Sequence, residues 1–321
     1  MTVIVDSMAE EVVLVMGYPA SGKTSLVSQF NGYTRLNRDN LGGSISGLAD
    51  RLQERLDAGA RSIVLDNTFG TVKQRRYIIK VAQRNDLPIR CVWLKTSIED
   101  SQFNASMRMV RKYGRVLDPE EIQENGKTDP GCIPSVALFS YRKNLVAPSL
   151  SEGFSEIKVV KFRRIWEEEY SNKALILDYD QTLRDAISGG KYPEDLDDIE
   201  ILPRRKEVLQ SYVNQGYILA GVSNQSWVGK GILTWDQVNE GLQHTNDLLG
   251  LDIDFRFCPH RVPPIVCHCR KPQTGLGVEL IEMYKLLPSK CIFVGDRTTD
   301  KTFAKRCGFN FVHADEFFKK A

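Results

Sequence analysis

Long hydrophobic runs are absent from this sequence, and so is a strong excess of charge of either sign. No stretch of about 18 consecutive apolar residues occurs, and residues 1–11 lack the basic and apolar segments of a secretion signal. The formal net charge is only +2. We therefore expect a cytoplasmic protein with no membrane partner. The charge balance neither requires nor excludes binding to nucleic acid.

Cysteine is also sparse, with seven residues in a chain of 321. In the cytoplasm these thiols are expected to stay reduced, so the sequence does not predict a disulfide-stabilised fold. The hydrophobic content of 42% and the charged content of 26% are ordinary for a globular protein. The chain is long enough for about two domains, each with its own hydrophobic core.

The first motif follows an apolar segment at residues 12–16. Residues 17–24 read GYPASGKT, which matches the P-loop pattern G-x-x-x-x-G-K-[ST] between a predicted strand and a predicted helix. Backbone N–H groups of such a loop bind phosphate, the lysine reaches the β- and γ-phosphates, and the final hydroxyl ligates Mg²⁺. The motif predicts nucleoside triphosphate binding by Gly17, Ser21, Gly22, Lys23 and Thr24, with Thr24 as a ligand of Mg²⁺.

Strand and helix signals alternate through the first half of the chain, as a parallel α/β fold requires. Asp39 closely follows the segment 33–36, and Asp66 follows the apolar segment 62–65. Ligands of open parallel sheets bind beyond the carboxyl ends of the strands, so both aspartates should face the crevice of the P-loop. Asp39 is our candidate base for an acceptor hydroxyl, and Asp66 can hold Mg²⁺ through water. Capping of the following helix is the alternative role for each.

A basic, polar tract extends over residues 97–143. It contains Asn104, Arg108, Arg111, Lys112 and Arg115. A lid of this composition can close over a nucleotide and bring an arginine to the transferring phosphoryl group. A solvated helix face is the alternative, and the residues alone favour it.

These motifs make residues 11–164 resemble the kinase domain of the polynucleotide 5′-kinase/3′-phosphatase family. The other matching segments are 37–39, 66–68, 133–134, 140–143, 147–148 and 152–154. The resemblance implies that ATP is the phosphoryl donor and that Asp39 activates a 5′-hydroxyl. It also implies that Arg108, with Arg111 as second choice, is the lid arginine. Phage-type members have an arginine three residues after the catalytic aspartate, where this chain has Gly42.

The second half begins with an apolar segment at residues 174–177, after a polar linker at residues 166–172. This apolar segment is followed directly by Asp178-Tyr179-Asp180. Two carboxylates separated by one residue suit a division of roles, in which one attacks phosphorus and the other protonates the leaving oxygen and then activates water. Four further residues follow in order at predicted loops: Ser223, Lys271, Asp296 and Asp300. This ordered set resembles the motifs of haloacid dehalogenase-type phosphatases.

That resemblance assigns a role to each residue. Asp178 forms an aspartyl-phosphate, Asp180 is the acid and base, and Ser223 and Lys271 hold phosphoryl oxygens. The predicted ligands of Mg²⁺ are Asp178, Asp180, Asp296 and Asp300. Gln181 departs from the family, which usually has glycine at this position.

A third group of residues, Cys258, His260, Cys267 and Cys269, suits tetrahedral structural Zn²⁺. His268 is an alternative ligand, and a loop with free thiols is the alternative interpretation. A second resemblance, to the histidinol-phosphate and heptose-bisphosphate phosphatases, extends up to this group. It includes residues 191–193, 202–203 and 224–226. Those enzymes carry a zinc loop of this form and act on small molecules.

The fold prediction is therefore α/β with two domains. Residues 1–168 form a P-loop kinase domain with a parallel sheet, and residues 169–321 form a Rossmann-like haloacid dehalogenase phosphatase domain. We expect an enzyme that phosphorylates 5′-hydroxyl ends of DNA or RNA with ATP and removes 3′-phosphates, because these reactions prepare ends for a downstream ligase in DNA or RNA repair. The alternative is a sugar or metabolite kinase fused to a small-molecule phosphatase. The motifs do not distinguish RNA from DNA.

Overall fold

The structure is a computed structural model that describes residues 9–263 and 267–319, apart from the side chains of Asp39 and Asn40. It divides into two compact units. The first comprises Met1–Ala105 and Gln123–Ile165, and the second comprises Ser106–Ile122 and Trp166–Ala321. Residues 106–122 therefore belong to the second unit although they precede the predicted domain boundary, which stays a prediction.

The first unit is built on a five-stranded sheet in the order β2-β3-β1-β4-β5, and every strand pair is parallel. The strands are β1 (Glu11–Met16), β2 (Thr34–Asn37), β3 (Ser62–Asp66), β4 (Ile89–Lys95) and β5 (Glu156–Lys161). Central strand β1 is buried from Val12 to Met16. An apolar, valine-rich sequence suits a parallel strand that is covered on both faces.

Seven helices lie between β1 and β5: α1 (Lys23–Val27), α2 (Arg38–Leu41), α3 (Ile45–Asp57), α4 (Val72–Arg84), α5 (Ile98–Tyr113), α6 (Pro119–Asn125) and α7 (Ser135–Asn144). A short 3₁₀ helix covers Leu150–Glu152. Local sequence sets where α3 and α4 begin. The Ser44 hydroxyl accepts the Gly47 N–H at 3.1 Å, and Thr71 forms a capping box with Gln74. The capping box places the first residue of α4 at Val72.

The second unit has its own five-stranded parallel sheet, in the order β10-β9-β6-β11-β12. Its strands are β6 (Ala174–Leu177), β9 (Ile218–Asn224), β10 (Asp254–Cys258), β11 (Ile292–Gly295) and β12 (Asn310–His313). An antiparallel pair, β7 (Arg184–Ala186) and β8 (Ile199–Ile201), lies between β6 and β9 in the chain. The helices are α8 (Arg205–Asn214), α9 (Ser226–Gly229), α10 (Trp235–Leu249), α11 (Gly275–Tyr284), α12 (Thr298–Cys307) and α13 (Ala314–Lys319), with a 3₁₀ helix at Pro288–Lys290.

The predicted functional residues lie where parallel strands end. In the first unit the P-loop follows β1 and Asp66 ends β3. In the second unit Asp178 follows β6, Ser223 is near the end of β9, and Asp296 follows β11. The α/β prediction with two parallel-sheet domains is therefore confirmed. Within the described residues, no helix has both the length and the apolar character needed to cross a membrane.

One buried arginine ties distant segments of the first unit together. The Arg75 side chain is 0% exposed and donates two hydrogen bonds to Glu152, at 2.8 and 2.7 Å. It also donates to the carbonyl oxygens of Phe69 and Val146, both at 3.0 Å. A buried charge with all of these partners stabilises the fold only while the set is complete.

We expect Arg75→Met to lower the free energy of unfolding by roughly 3–5 kcal/mol, because it leaves the Glu152 carboxylate buried without its partner. The double variant Arg75→Met/Glu152→Leu should recover part of that loss. Chemical denaturation of both variants measures this, with exposed Arg76→Met as the matched control. Equal stability of the Arg75→Met and Arg76→Met proteins would contradict the prediction.

An unusual backbone conformation occurs in the loop after β6. Gln181 has a φ of 62°, in the left-handed region, and its N–H donates to the Arg184 carbonyl at 2.8 Å. A side chain with a Cβ atom costs roughly 1 kcal/mol in this region, which explains why the family usually has glycine here.

Gln181→Gly should therefore raise the free energy of unfolding of the second unit, by up to about 1 kcal/mol. Gln215 is an exposed loop glutamine with an ordinary φ of −85°. Its replacement by glycine should lower stability instead, because glycine there only adds freedom to the unfolded chain. Thermal melting of the two variants tests the sign, and a loss of stability in both would show that the left-handed φ carries no strain.

Candidate active sites

The P-loop holds its lysine inside the loop itself. The Lys23 ammonium donates to the carbonyl oxygen of Tyr18 at 2.6 Å and to that of Gly17 at 3.1 Å, and it lies 3.4 Å from the Ser21 hydroxyl. Gly22 has a φ of 95°, and helix α1 begins at the next residue. Ser21 is buried, whereas Thr24 is exposed at the start of α1. The predicted nucleotide-binding residues are thus adjacent in one tight loop.

Two residues outside the motif fix this loop. The Thr96 hydroxyl donates to the Ser21 carbonyl at 3.0 Å, and the Asn104 side-chain amide donates to the Ala20 carbonyl at 2.8 Å. Asn104 was predicted only as one member of a basic, polar tract, and Thr96 was not among the predicted residues. Both are remote from the P-loop in sequence, so no local pattern could have assigned these bonds.

Asp66 has a different environment from the one expected for a metal ligand. Its carboxylate lies 2.6 Å from the Arg35 guanidinium and accepts a short hydrogen bond from the Asn37 amide. The side chain is buried. Asp66 is therefore engaged as an internal partner that joins the ends of β2 and β3. Asp39 lies in helix α2, but its side chain is outside the part of the chain that the structure describes.

The two candidate lid arginines lie on the part of α5 that is grouped with the second unit. Arg108 is exposed. Arg111 donates to the Tyr170 hydroxyl at 2.8 Å and lies 3.4 Å from the Glu282 carboxylate. Arg111 is thus bound by partners of the second unit, whereas the assignment of Arg108 as the lid arginine stays a prediction.

The phosphatase motifs converge on one buried group of charges. The Lys271 ammonium lies 2.7 Å from the Asp178 carboxylate and 2.8 Å from that of Asp300. Carboxylate oxygens of Asp178, Asp296 and Asp300 all lie within 4.8 Å of one another. Asp178, Asp300 and Lys271 are buried.

Burial has a strong effect on this group. It raises the pKa of the Asp178 carboxyl to about 7, although the Lys271 ammonium opposes the rise. Burial also raises the pKa of Asp296. For Lys271 burial lowers the pKa, but the carboxylates of Asp178 and Asp300 outweigh it and the pKa is raised. The carboxylates outnumber the nearby ammonium, so this group attracts further positive charge.

A hard divalent cation such as Mg²⁺ fits this donor set. The Asp296 Oδ1 atom is buried and has no hydrogen-bond partner among the described residues. Buried carboxylate oxygens normally have partners, and oxygen ligands at this spacing are those that Mg²⁺ prefers. The residues that would hold the ion are Asp178, Asp296 and Asp300.

Asp180 was also a predicted metal ligand, but the structure does not bring it into this cluster. One of its oxygens accepts from Arg184 at 2.9 Å, and the other accepts from the Gln225 amide at 2.9 Å. Gln225 also donates to the Ser223 hydroxyl at 2.8 Å. Both carboxylate oxygens of Asp180 therefore already have protein partners.

Arg184 and Gln225 had not been identified as site residues. Gln225 lay within the segment that resembles small-molecule phosphatases, and Arg184 follows Asp180 by four residues. A carboxylate with an arginine four residues away is too common a pattern to single out. Only the loop conformation after β6 makes the two side chains meet.

A cavity of about 530 Å³ opens onto these residues. Its lining includes the catalytic candidates Asp178, Asp180, Ser223 and Lys271, and two aromatic side chains, Tyr192 and Trp227. The ring centroids of Tyr192 and Trp227 are 5.4 Å apart, with the planes nearly perpendicular. The Arg297 guanidinium lies over the Tyr192 ring at 5.7 Å and donates to its hydroxyl at 3.3 Å.

The third predicted group is also brought together. Ligand atoms of Cys258, His260, Cys267 and Cys269 lie within 4.8 Å of one another. The sulfur atoms of Cys258 and Cys267 are 3.8 Å apart, and His260 Nδ1 is 3.1 Å from the Cys269 sulfur. Thiols and an imidazole at this spacing match a tetrahedral zinc site. The alternative ligand His268 is buried and is not part of this group.

Comparison with known proteins agrees with the division into a P-loop half and a phosphatase half. The family model described as AAA domain matches residues 12–122, and the model described as polynucleotide kinase 3 phosphatase matches residues 173–318. A probable D-glycero-D-manno-heptose-1,7-bisphosphate 7-phosphatase of Thermoplasma volcanium is 38% identical over 144 residues, which cover 43% of this chain and 96% of that protein.

A bifunctional polynucleotide phosphatase/kinase of Schizosaccharomyces pombe is 30% identical over 166 residues, which cover 50% of this chain and 36% of that protein. Among solved structures, a chain of the Pnkp1/Rnl/Hen1 RNA repair complex covers 97% of this chain and 98% of its own length, at 14% identity and a TM-score of 0.32. A similarity with that TM-score supports no inference about function. The chain therefore combines an AAA-type P-loop kinase domain with a polynucleotide kinase 3 phosphatase domain, which is the two-domain composition that the sequence predicted, and its second half belongs to the same phosphatase family as the Thermoplasma volcanium protein.

Proposed function

We propose that this chain is a bifunctional end-healing enzyme that phosphorylates 5′-hydroxyl ends of nucleic acid with ATP and removes 3′-phosphates. The observation that carries the proposal is the presence in one chain of a P-loop and a phosphatase centre with paired carboxylates. The two reactions act on opposite sides of the same break and leave ends that a ligase can join. The relative that is 30% identical is a bifunctional polynucleotide phosphatase/kinase, which supports this choice.

In the phosphatase reaction, an Asp178 oxygen attacks phosphorus and the bond from phosphorus to the 3′-oxygen breaks. Asp180 gives a proton to that oxygen and then takes one from the water that hydrolyses the aspartyl-phosphate. Asp180 must exchange one of its present partners, Arg184 or Gln225, for the substrate. Asp178, Asp296 and Asp300 would hold Mg²⁺, which would neutralise charge at the phosphoryl group alongside Lys271.

In the kinase reaction, the ammonium of Lys23 leaves the carbonyl oxygens of Gly17 and Tyr18 and binds the β- and γ-phosphates of ATP. Thr24 is the proposed protein ligand of the Mg²⁺ ion that accompanies ATP. Asp39 is the proposed base for the 5′-hydroxyl, and Arg108 is the proposed lid arginine.

The phosphatase cavity suits a nucleoside next to the phosphate. Tyr192 and Trp227 offer aromatic surface, and stacking of one base on such side chains contributes about 1–3 kcal/mol. Arg270 also lines the cavity, and its buried Nη1 atom has no hydrogen-bond partner among the described residues, so a phosphate oxygen would satisfy it. Glu194, Asp195 and Glu240 line the same cavity. Their negative charge opposes a substrate with a second phosphate placed near them.

A phosphatase for a small sugar phosphate is the second candidate. The 38% identity to a probable heptose-bisphosphate phosphatase over 96% of that protein favours it for the second half of the chain. A sugar-phosphate phosphatase activity would give the two halves of the chain no substrate in common, so the P-loop half would have no explained role. One experiment separates the two candidates. The protein is supplied with heptose bisphosphate and with end-labelled DNA and RNA oligonucleotides, and the products are identified.

The Cys258, His260, Cys267 and Cys269 group is proposed to hold structural Zn²⁺. Such a site has four protein ligands and no open position, so its binding free energy contributes to folding. Reduced thiols are required, and none of the cysteines among the described residues forms a disulfide. This agrees with a cytoplasmic location, where thiols stay reduced.

The two activities should be separable by single substitutions. Asp178→Ala removes the phosphatase nucleophile, so phosphate release from 3′-phosphate ends should fall by at least about 1,000-fold while 5′-phosphorylation stays near wild type. Lys23→Ala removes positive charge from the nucleotide site, so 5′-phosphorylation should fall while phosphate release from 3′-phosphate ends stays near wild type. End-labelled oligonucleotides with one end blocked measure each rate independently. Loss of both activities from either folded variant would contradict the assignment of two independent centres.

The aromatic side chains of the cavity generate a further prediction. With a 3′-phosphorylated oligonucleotide whose last nucleotide carries a base, Trp227→Ala should lower kcat/KM by roughly 10-fold, because base stacking is lost. With the matching oligonucleotide that ends in an abasic 3′-phosphate, the same change should have little effect. Trp227→Phe is the conservative control and should retain most of the preference for a base. An equal loss on both substrates would mean that Trp227 only supports the loop.

A further inference from the structure

The imidazole of His260 has different neighbours at its two nitrogens. Nδ1 lies 3.5 Å from the Cys258 sulfur and 3.1 Å from the Cys269 sulfur. Nε2 lies 3.2 Å from a carboxylate oxygen of Asp118. A histidine that ligates a metal through one nitrogen commonly donates its other N–H to a carboxylate, which fixes the tautomer and the orientation of the ring.

The position of Asp118 is fixed by its neighbours within the second unit. The N–H of Val116 donates to the Glu279 carboxylate on α11 at 2.7 Å, and Val116 and Leu117 are both buried. The N–H of Asp118 itself donates to Glu121 at 2.9 Å. The backbone of Asp118 is thus held, directly before α6, by contacts on both sides.

From this geometry we infer that Asp118 is a positioning residue for the zinc site, where it accepts the Nε2–H of His260 and holds Nδ1 towards the metal. The inference rests on the zinc site proposed above. Asp118 lies in the segment Ser106–Ile122, outside residues 173–318 that match the phosphatase family. Full zinc affinity therefore requires a residue that precedes the phosphatase domain in the chain.

The competing explanation is an incidental surface contact, since the Asp118 side chain is 56% exposed. An exposed ion pair of that kind adds at most about 1 kcal/mol to stability and has no effect on metal affinity. A carboxylate that orients a metal-ligating histidine has a different signature, because its removal weakens metal binding by roughly 10- to 100-fold. Zinc affinity therefore distinguishes the two roles.

The experiment measures zinc affinity of the full chain by competition with a chromophoric chelator. Asp118→Ala should weaken zinc binding by roughly 10- to 100-fold. Asp118→Asn should give an intermediate value, because the amide oxygen still accepts a hydrogen bond but carries no charge. Glu120→Gln, an exposed substitution two residues later in α6, is the matched control and should bind zinc like the wild type.

A double variant tests the connection between the two residues. In a His260→Ala background, Asp118→Ala should change zinc affinity no further, because its effect acts through the imidazole. Melting of the zinc-free protein gives an independent measure of folding. Asp118→Ala should leave the zinc-free melting temperature unchanged and reduce only the increase that zinc produces.

The possible failures are distinguishable. If wild-type protein holds no zinc, the zinc site itself is wrong. If the wild type holds zinc and Asp118→Ala binds it equally well, the zinc site stands and the role of Asp118 is overturned. The same conclusion follows if Asp118→Ala lowers the melting temperature equally with and without zinc, because that result indicates a purely structural contact.

Discussion

The buried charge group at the end of the second sheet is the constraint on which that unit depends. Asp178, Asp300 and Lys271 are removed from water, and an ammonium can approach both carboxylates only where the backbone leaves room. Gly295 provides that room, because a Cβ atom at this position would lie 2.7 Å from the Asp300 side chain. Buried like charges are costly unless compensated, so the arrangement attracts a cation.

Lys271 and the cysteine-rich group lie in one continuous segment of the chain. Lys271 follows Cys269 by two residues, and Asn224 holds its backbone from both sides by accepting the Lys271 N–H at 3.0 Å and donating to its carbonyl at 3.1 Å. A metal bound by the cysteines would restrict the same segment from its other end. Zinc can therefore be structural in its chemistry and still matter for the position of Lys271.

In the kinase centre the charged side chains are satisfied by partners within the protein. Lys23 bonds to the carbonyls of its own loop, and Asp66 is engaged by Arg35 and Asn37. Nucleotide binding must therefore exchange protein partners for phosphate oxygens at Lys23. In the phosphatase centre the corresponding exchange falls on Asp180, while Lys271 and Asp178 already lie at hydrogen-bonding distance.

Much of the fold and of the candidate sites could be predicted because local sequence carries the relevant information. The apolar segments, the P-loop and the paired carboxylates at 178 and 180 all fix which residues follow the end of a strand, and parallel strands bring those ends to one edge of a sheet. The spacing of the cysteines likewise predicted a group that the structure brings together.

Partners that are remote in sequence could not be predicted in this way. The pairing of Asp66 with Arg35, of Asp180 with Gln225, and of Asp118 with His260 depends on the path of the chain between them. The sequence by itself determined which chemical groups lie at the end of each strand. Only the tertiary structure decided which of those groups are in contact, because the separation of two residues along the chain does not determine the distance between their side chains.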